Sequence, residues 1–120
     1  MSTIVPAALS VTRWSRVSES GCEPNTSFPI TEVDPDPEHV ALCRRWLQLF
    51  GAKTTGFTPW TSYGCAKDVW RWSRGLPEGE QHPTTGAFHL AALADGYRSR
   101  RQFAGSPSAT FNLNIRREAP

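Results

Sequence analysis

Three kinds of residue in this chain could do chemistry, and each kind clusters. Arg98, Arg100 and Arg101 fall within four positions, with Arg116 and Arg117 further on. Arginines on one strand face can hold phosphates, and such contacts place a protein on a nucleic acid without reading its bases. Thr84, Thr85 and His89 lie just upstream, where a helix could show them to base edges in a groove. That helix contains no Arg or Lys between Thr84 and Asp95, so it is a poor reader of bases. The bland reading of the arginines is a charged, solvated strand face.

His39 and Cys43 stand one helical turn apart, a spacing that suits a metal, with Cys22, Cys65, His82 or His89 as further ligands. Zinc sites usually carry two close ligand pairs, and only one is present, so no metal is expected. Cys43 also falls on an apolar stripe, where a free cysteine packs as a small hydrophobe. Cys65 is placed in the first turn of a helix, where the dipole could lower a thiol pKa and make a nucleophile. No G-x-S-x-G, H-E-x-x-H or P-loop pattern accompanies it. The acidic run from Glu32 to Glu38 is interrupted by prolines and reads as an entry loop and helix cap. An enzyme is not expected, and neither is a cofactor.

The chain has 5 tryptophans. Core packing is the plain reading, but Trp60, Trp70 and Trp72 could instead anchor a protein interface, with Asp34 and Asp36 as an acidic patch beside them.

These residues need elements to hold them. Asp36-Pro37 opens a helix: Asp caps, and Pro at the first position loses no bond. Val40, Cys43, Leu47 and Phe50 recur at helical spacing, and Gly51 is expected to stop the helix in a left-handed conformation. A short strand within 53–61 should follow. Ser62 caps a second helix over 63–74, and Thr84 or Thr85 caps a third over 86–95, apolar around much of its circumference. Alternation then predicts strands over 97–103 and 109–115, joined through Ala104-Gly105-Ser106-Pro107-Ser108. In the second strand Ala109, Phe111, Leu113 and Ile115 should face the core, and Thr110, Asn112 and Asn114 solvent. Upstream, 9–17 reads as a strand and 19–28 as a loop. The tail after Ile115 should fray.

The chain has 120 residues and a net charge of +2, enough for one domain and too mildly basic to decide a partner. Three cysteines argue against a disulfide framework. Without a leader pattern or an apolar run near the roughly 20 residues of a membrane span, the expectation is a soluble, cytoplasmic protein.

Helices followed by a hairpin are the skeleton of winged-helix modules. The expected fold is therefore α+β and winged-helix-like, with three helices and a C-terminal antiparallel β-hairpin over 37–120. Residues 1–36 form an extended, irregular segment packed on it.

The run Ser62-Tyr63-Gly64-Cys65-Ala66-Lys67, then Thr85-Gly86-Ala87-Phe88 with Ala91-Ala92, Gly96-Tyr97, and Gly105 to Asn112 resembles a pattern in small proteins of phages and mobile elements. It covers under half the chain, and the sequence departs from it at Cys65 and in the longer link before Thr84. The resemblance implies a mobile-element role. The leading expectation is a small nucleic-acid-binding regulator or accessory protein, contacting its target through Thr84, Thr85, His89, Arg98, Arg100 and Arg101, with a homodimer as an open arrangement. The alternative is a phage-encoded inhibitor of a host defence system, of anti-CRISPR or antirestriction type, that binds a host protein through Trp60, Trp70, Trp72, Asp34 and Asp36.

Overall fold

The third helix dictates how the rest of the chain is arranged. The computed structural model describes residues 16–23 and 33–116. Helix α3 (Thr85–Ala94) is small and apolar on nearly every side, and every residue from Gly86 to Ala92 is buried. Such a helix needs partners all round. Helix α1 (Pro37–Phe50) and helix α2 (Ser62–Ser73) cover two sides. A hairpin of β1 (Arg16–Ser18) and β2 (Gly21–Glu23) covers another.

Arg16 and Val17 of β1 fall in the expected strand, whereas β2 was expected as loop. The hairpin is ordered by what it touches. Gly86 N, one of the unpaired donors at the start of α3, donates to Glu19 O at 3.1 Å, and Cys22 N donates to Pro107 O at 2.8 Å. Ser18 Oγ donates to the buried Glu23 carboxylate at 2.7 Å. Gly86 is glycine for a steric reason: a Cβ there would lie 1.6 Å from Ser18 O. The rest of the expected 9–17 strand and the tail after Arg116 lie outside the described residues.

Helix α1 starts as its sequence requires, with the Asp36 carboxylate accepting from Glu38 N at 2.8 Å and Pro37 at the first position. Its end differs from expectation. Gly51 has φ −84° and is extended, so the helix runs straight into β3 (Gly51–Lys53) without a left-handed cap. Glycine is needed there for close approach, since a Cβ would meet Tyr97 Oη at 2.6 Å and Leu47 O at 2.7 Å.

The second helix is capped one residue earlier than expected. Thr61 Oγ1 accepts from Gly64 N at 3.1 Å, while the buried Ser62 Oγ accepts from Ala109 N at 2.9 Å and so ties α2 to the C-terminal ribbon. Thr84 caps α3, accepting from Ala87 N at 3.2 Å. Between α2 and α3, Ser73 Oγ accepts from Gln81 N at 2.9 Å and folds the Gly- and Pro-rich link back on its helix.

The expected hairpin forms, but its second strand is split. β4 (Ser99–Arg101) pairs antiparallel with β5 (Ala109–Phe111), Arg100 opposite Thr110. β6 (Leu113–Ile115) pairs antiparallel with β3, Ala52 opposite Asn114. The strand between the first two helices thus sits earlier than 53–61 and joins the end of the ribbon. Asn112, expected in solvent, is buried at the junction: its Oδ1 accepts from Arg98 N at 2.6 Å and its Nδ2 donates to Thr54 O at 3.2 Å.

Phe88 lies at the centre of the core, edge-on to Trp46 (centroids 5.9 Å apart) and to Phe111 (5.7 Å). The result is an α+β domain of three helices with short antiparallel strand pairs. Among the described residues no helix is long and apolar enough to cross a membrane.

Gly86→Ala should cost about 1–3 kcal/mol or more, because a backbone carbonyl has to move to admit the methyl. Gly56→Ala, which meets open space, should stay within about 0.5 kcal/mol. Urea midpoints measure both, and amide exchange at Gly21 to Glu23 should rise in the first variant alone.

Candidate functional site

The alternation of β4 sorts its arginines onto two faces. Ser99 and Arg101 point inward, toward His89 and Cys22. Arg98 and Arg100 point outward and are exposed. Both outward guanidinium groups lie over the Phe57 ring, Arg98 Cζ at 5.4 Å and Arg100 Cζ at 4.5 Å from its centroid. Arg98 also donates from Nη2 to Thr55 O. The pair therefore leans on the domain's own ring while staying at the surface. Phe57 enters no earlier reading of the site, because nothing in the spacing links it to residues some 40 positions away.

Around Phe57 is a shallow recess of about 590 Å³ lined also by Thr58, Arg100, Gln102 and Thr110. A second, largely apolar groove of about 560 Å³ runs between α2, the start of α3 and the β4–β5 loop. Tyr63, Lys67, Trp70, His82 and Phe103 line it, and Gln102 borders both recesses. Tyr63 is 55% exposed and Phe103 59%. Lys67 Nζ stands 5.1 Å from the Tyr63 centroid.

Charge divides the cations of these faces into two sets. Arg44, Arg45, Arg71 and Arg74 pair with Asp95, Glu78, Asp68 and Glu80. Lys53, Lys67, Arg98, Arg100 and Arg116 pair with no carboxylate among the described residues; rings and carbonyls hold them instead.

The other expected site residues scatter. Thr84 and Thr85, half-buried, line the second groove, although Thr84 Oγ1 is occupied as a cap. His89 is 0% exposed, which overturns its expected place facing a nucleic-acid groove; the β1–β2 hairpin and β4 enclose it. Trp70 is half-buried, with His82 on its ring at 5.0 Å and Arg74 Cζ at 4.5 Å, and its Nε1 donates to the Glu80 carboxylate. Trp72 packs edge-on to Phe50 at 6.3 Å and serves the margin of the core. Trp60 is 41% exposed but lines neither recess. Asp36 is spent on capping α1, and Asp34 is exposed before it.

A buried polar chain also forms that sequence spacing could not reveal. Cys22 Sγ lies 3.5 Å from His89 Nδ1, and His89 Nε2 lies 3.0 Å from Ser99 Oγ. The order of groups is that of a nucleophile, base and orienting hydroxyl. Its electrostatics oppose that use. Burial, then the Arg101 charge, lowers the His89 pKa to about 4, and burial raises the Cys22 thiol despite Arg101. Both groups therefore stay neutral, and Cys22 is 1% exposed. The cluster satisfies polar groups under the hairpin.

Cys65 fares no better as a nucleophile. Burial, with Asp68 adding to it, pushes its thiol far up, and desolvation outweighs the helix dipole. Cys43 is likewise buried and pushed up. The described residues include no group of three side chains able to hold a metal, so the His39–Cys43 spacing finds no third ligand.

Compared with known proteins, the chain matches no family model, no curated protein and no solved structure.

The buried imidazole sets an acid limit on stability. Its folded pKa of about 4 lies below the 6.5 of an exposed histidine, so between those values the unfolded chain takes up a proton that the folded one refuses. Stability from this group is complete above pH 6.5 and falls by about 1.4 kcal/mol per pH unit as pH drops toward 4. Urea midpoints at pH 7 and 5 should show the loss, and His89→Gln should shrink it.

Thiol labelling should separate buried from reactive cysteines. Native protein should leave Cys22, Cys43 and Cys65 unmodified by a thiol-specific reagent, and labelling should follow unfolding. Rapid modification of Cys65 alone would restore it as a nucleophile.

Proposed function

We propose that this protein binds nucleic acid through its C-terminal ribbon, as a winged-helix-like regulator or accessory factor of a phage or mobile element. The observation that carries this reading is the unpaired cation set. Lys67, Arg98 and Arg100 have no carboxylate partner among the described residues and border the two recesses or the outward face of β4, while Arg44, Arg45, Arg71 and Arg74 are paired. A phosphate backbone is the ligand that such a set suits, because each contact releases condensed counterions. Support also comes from chain order: a strand after the first helix, two further helices, then a ribbon whose last strand returns to pair with the first. The third helix takes no part in reading bases here, since it is enclosed. Recognition is phosphate-dominated, with the outward face of β4 and Lys67 as its contacts.

The exposed Trp60, Tyr63 and Phe103 favour a second reading, a protein-binding inhibitor of host defence in a cytoplasmic setting. Its mark is one host protein retained in stoichiometric amount after nuclease treatment.

Fluorescence anisotropy with labelled oligonucleotides tests the first reading. For three neutralised phosphates on a duplex, a fourfold rise in salt should weaken binding roughly 40-fold. Arg98→Glu/Arg100→Glu should abolish it while leaving the melting temperature near that of the parent, because both residues are exposed. Absence of binding at low salt would remove the proposal.

A further inference from the structure

The two recesses share Gln102 at their borders, and their linings bear on the kind of nucleic acid. Resting on the nucleic-acid reading above, we propose that the ligand is a single strand, with bases stacked on Tyr63 and Phe103 and phosphates held by Lys67, Arg98 and Arg100.

A duplex hides its base faces, and a protein that reads it places a helix or ribbon in a groove. The helix in that position by chain order, α3, is closed off by the β1–β2 hairpin and is not free for that task. A single strand offers what a duplex does not, which is unstacked rings. Tyr63 and Phe103 are more than half exposed in the same largely apolar groove. Large rings left open in a concave surface suit stacking, and stacking is sequence-tolerant because every base has a π-face.

The cations lie where the backbone of such a strand would pass. Lys67 stands beside Tyr63 in the groove, and Arg100 stands over Phe57 in the adjoining recess. Gln102 borders both, so the surface runs from Phe57 and Arg100 past Gln102 to Phe103, Tyr63 and Lys67. Each recess pairs a ring with a cation that has no carboxylate partner among the described residues, Phe57 with Arg100 and Tyr63 with Lys67. A peptide would fill the apolar groove as well, where Lys67 and Glu19 both lie, but it would make less use of Arg98 and Arg100 beyond the groove, which have no acidic partner among the described residues. Charge complementarity therefore selects a polyanion with stackable rings. The groove's 560 Å³ is of the size that ligand sites commonly have.

The test compares a fluorescein-labelled oligothymidine with a short duplex, using the full chain and the variants Tyr63→Ala/Phe103→Ala, Tyr63→Phe and Arg98→Glu/Arg100→Glu. Oligothymidine should bind at least about tenfold tighter than duplex, and the double alanine variant should lose roughly ten- to a hundredfold of single-strand affinity. Duplex binding should be unchanged in that variant. Tyr63→Phe, which keeps the ring, should keep the affinity. Arg98→Glu/Arg100→Glu should weaken both probes. Melting temperatures near that of the parent confirm folding, as both aromatic positions are exposed. Equal binding of the two probes, unaffected by loss of the rings, would overturn the single-strand inference and leave the nucleic-acid reading standing. Failure of both probes to bind at low salt would overturn both. Loss of a captured host protein in the double alanine variant, with oligothymidine binding intact, would assign the groove to a protein instead.

Discussion

The enclosure of α3 is the constraint from which the remaining arrangement follows. Its run from Gly86 to Ala92 has no polar face to offer water, so every side has to be covered. Two helices and the C-terminal ribbon cannot surround it fully, and the β1–β2 hairpin completes the cover. The approach is so close that it requires glycine at position 86, whose amide bonds the hairpin turn. Phe88 then sits where α1 and β5 meet, touching Trp46 and Phe111. Hydrophobic enclosure thus decides both the core and what remains accessible. Under the hairpin, His89, Cys22 and Ser99 are shut in together and must satisfy one another.

That enclosure also decides which surfaces are left open. Where a helix-turn-helix protein would present its third helix, this chain presents the edge of a hairpin and a groove beside it. Polar side chains that look available in the sequence, His89 above all, serve the interior. What stays outside includes the alternate face of β4, the exposed flank of α2 and the outer face of α1. The strand period of two places Arg98 and Arg100 outward and Ser99 and Arg101 inward, so β4 and the residue before it supply both the candidate phosphate contacts and part of the buried polar cluster.

Much of the fold was legible because it is written in local signals. Asp36-Pro37, Thr84 and the 3.6-residue recurrence of Cys43, Trp46, Leu47 and Phe50 depend only on near neighbours, and the three helices stand within a residue or so of where those signals place them. Alternation found the strands at 99–101 and 109–115. It could not show that the second one breaks at Asn112 to serve two partners, because the break depends on Arg98 and Thr54, which are distant in sequence. The cap at Thr61 was missed since Ser62 offers the same hydroxyl, and only the amide of Ala109 claims it for another use. The hairpin at 16–23 was opaque for the same reason: Gly21 and the serines read as loop until α3 and Pro107 supply their bonds. Of the candidate site, the arginines and two threonines were legible as residue types. Tyr63, Lys67, Phe57 and Phe103 were not, because their role rests on a groove built from four separate segments.

The contact of Arg98 and Arg100 with Phe57 bears on whether they remain useful. An arginine held against an aromatic face has lost some of its rotamer freedom already, so binding a phosphate orders it less. The guanidinium has five N–H donors, and in Arg98 the bond to Thr55 O accounts for one. Its remaining donors, and those of Arg100, project from exposed side chains with no competing carboxylate among the described residues. Arg44, Arg45, Arg71 and Arg74 are the contrast, since an anion would have to displace a carboxylate from each. Stacking on Phe57 therefore positions the charges without neutralising them, whereas ion pairing would do the reverse. The difference between those two ways of holding a cation, more than the number of cations, is what leaves the guanidinium groups on the face of β4 open to an anion.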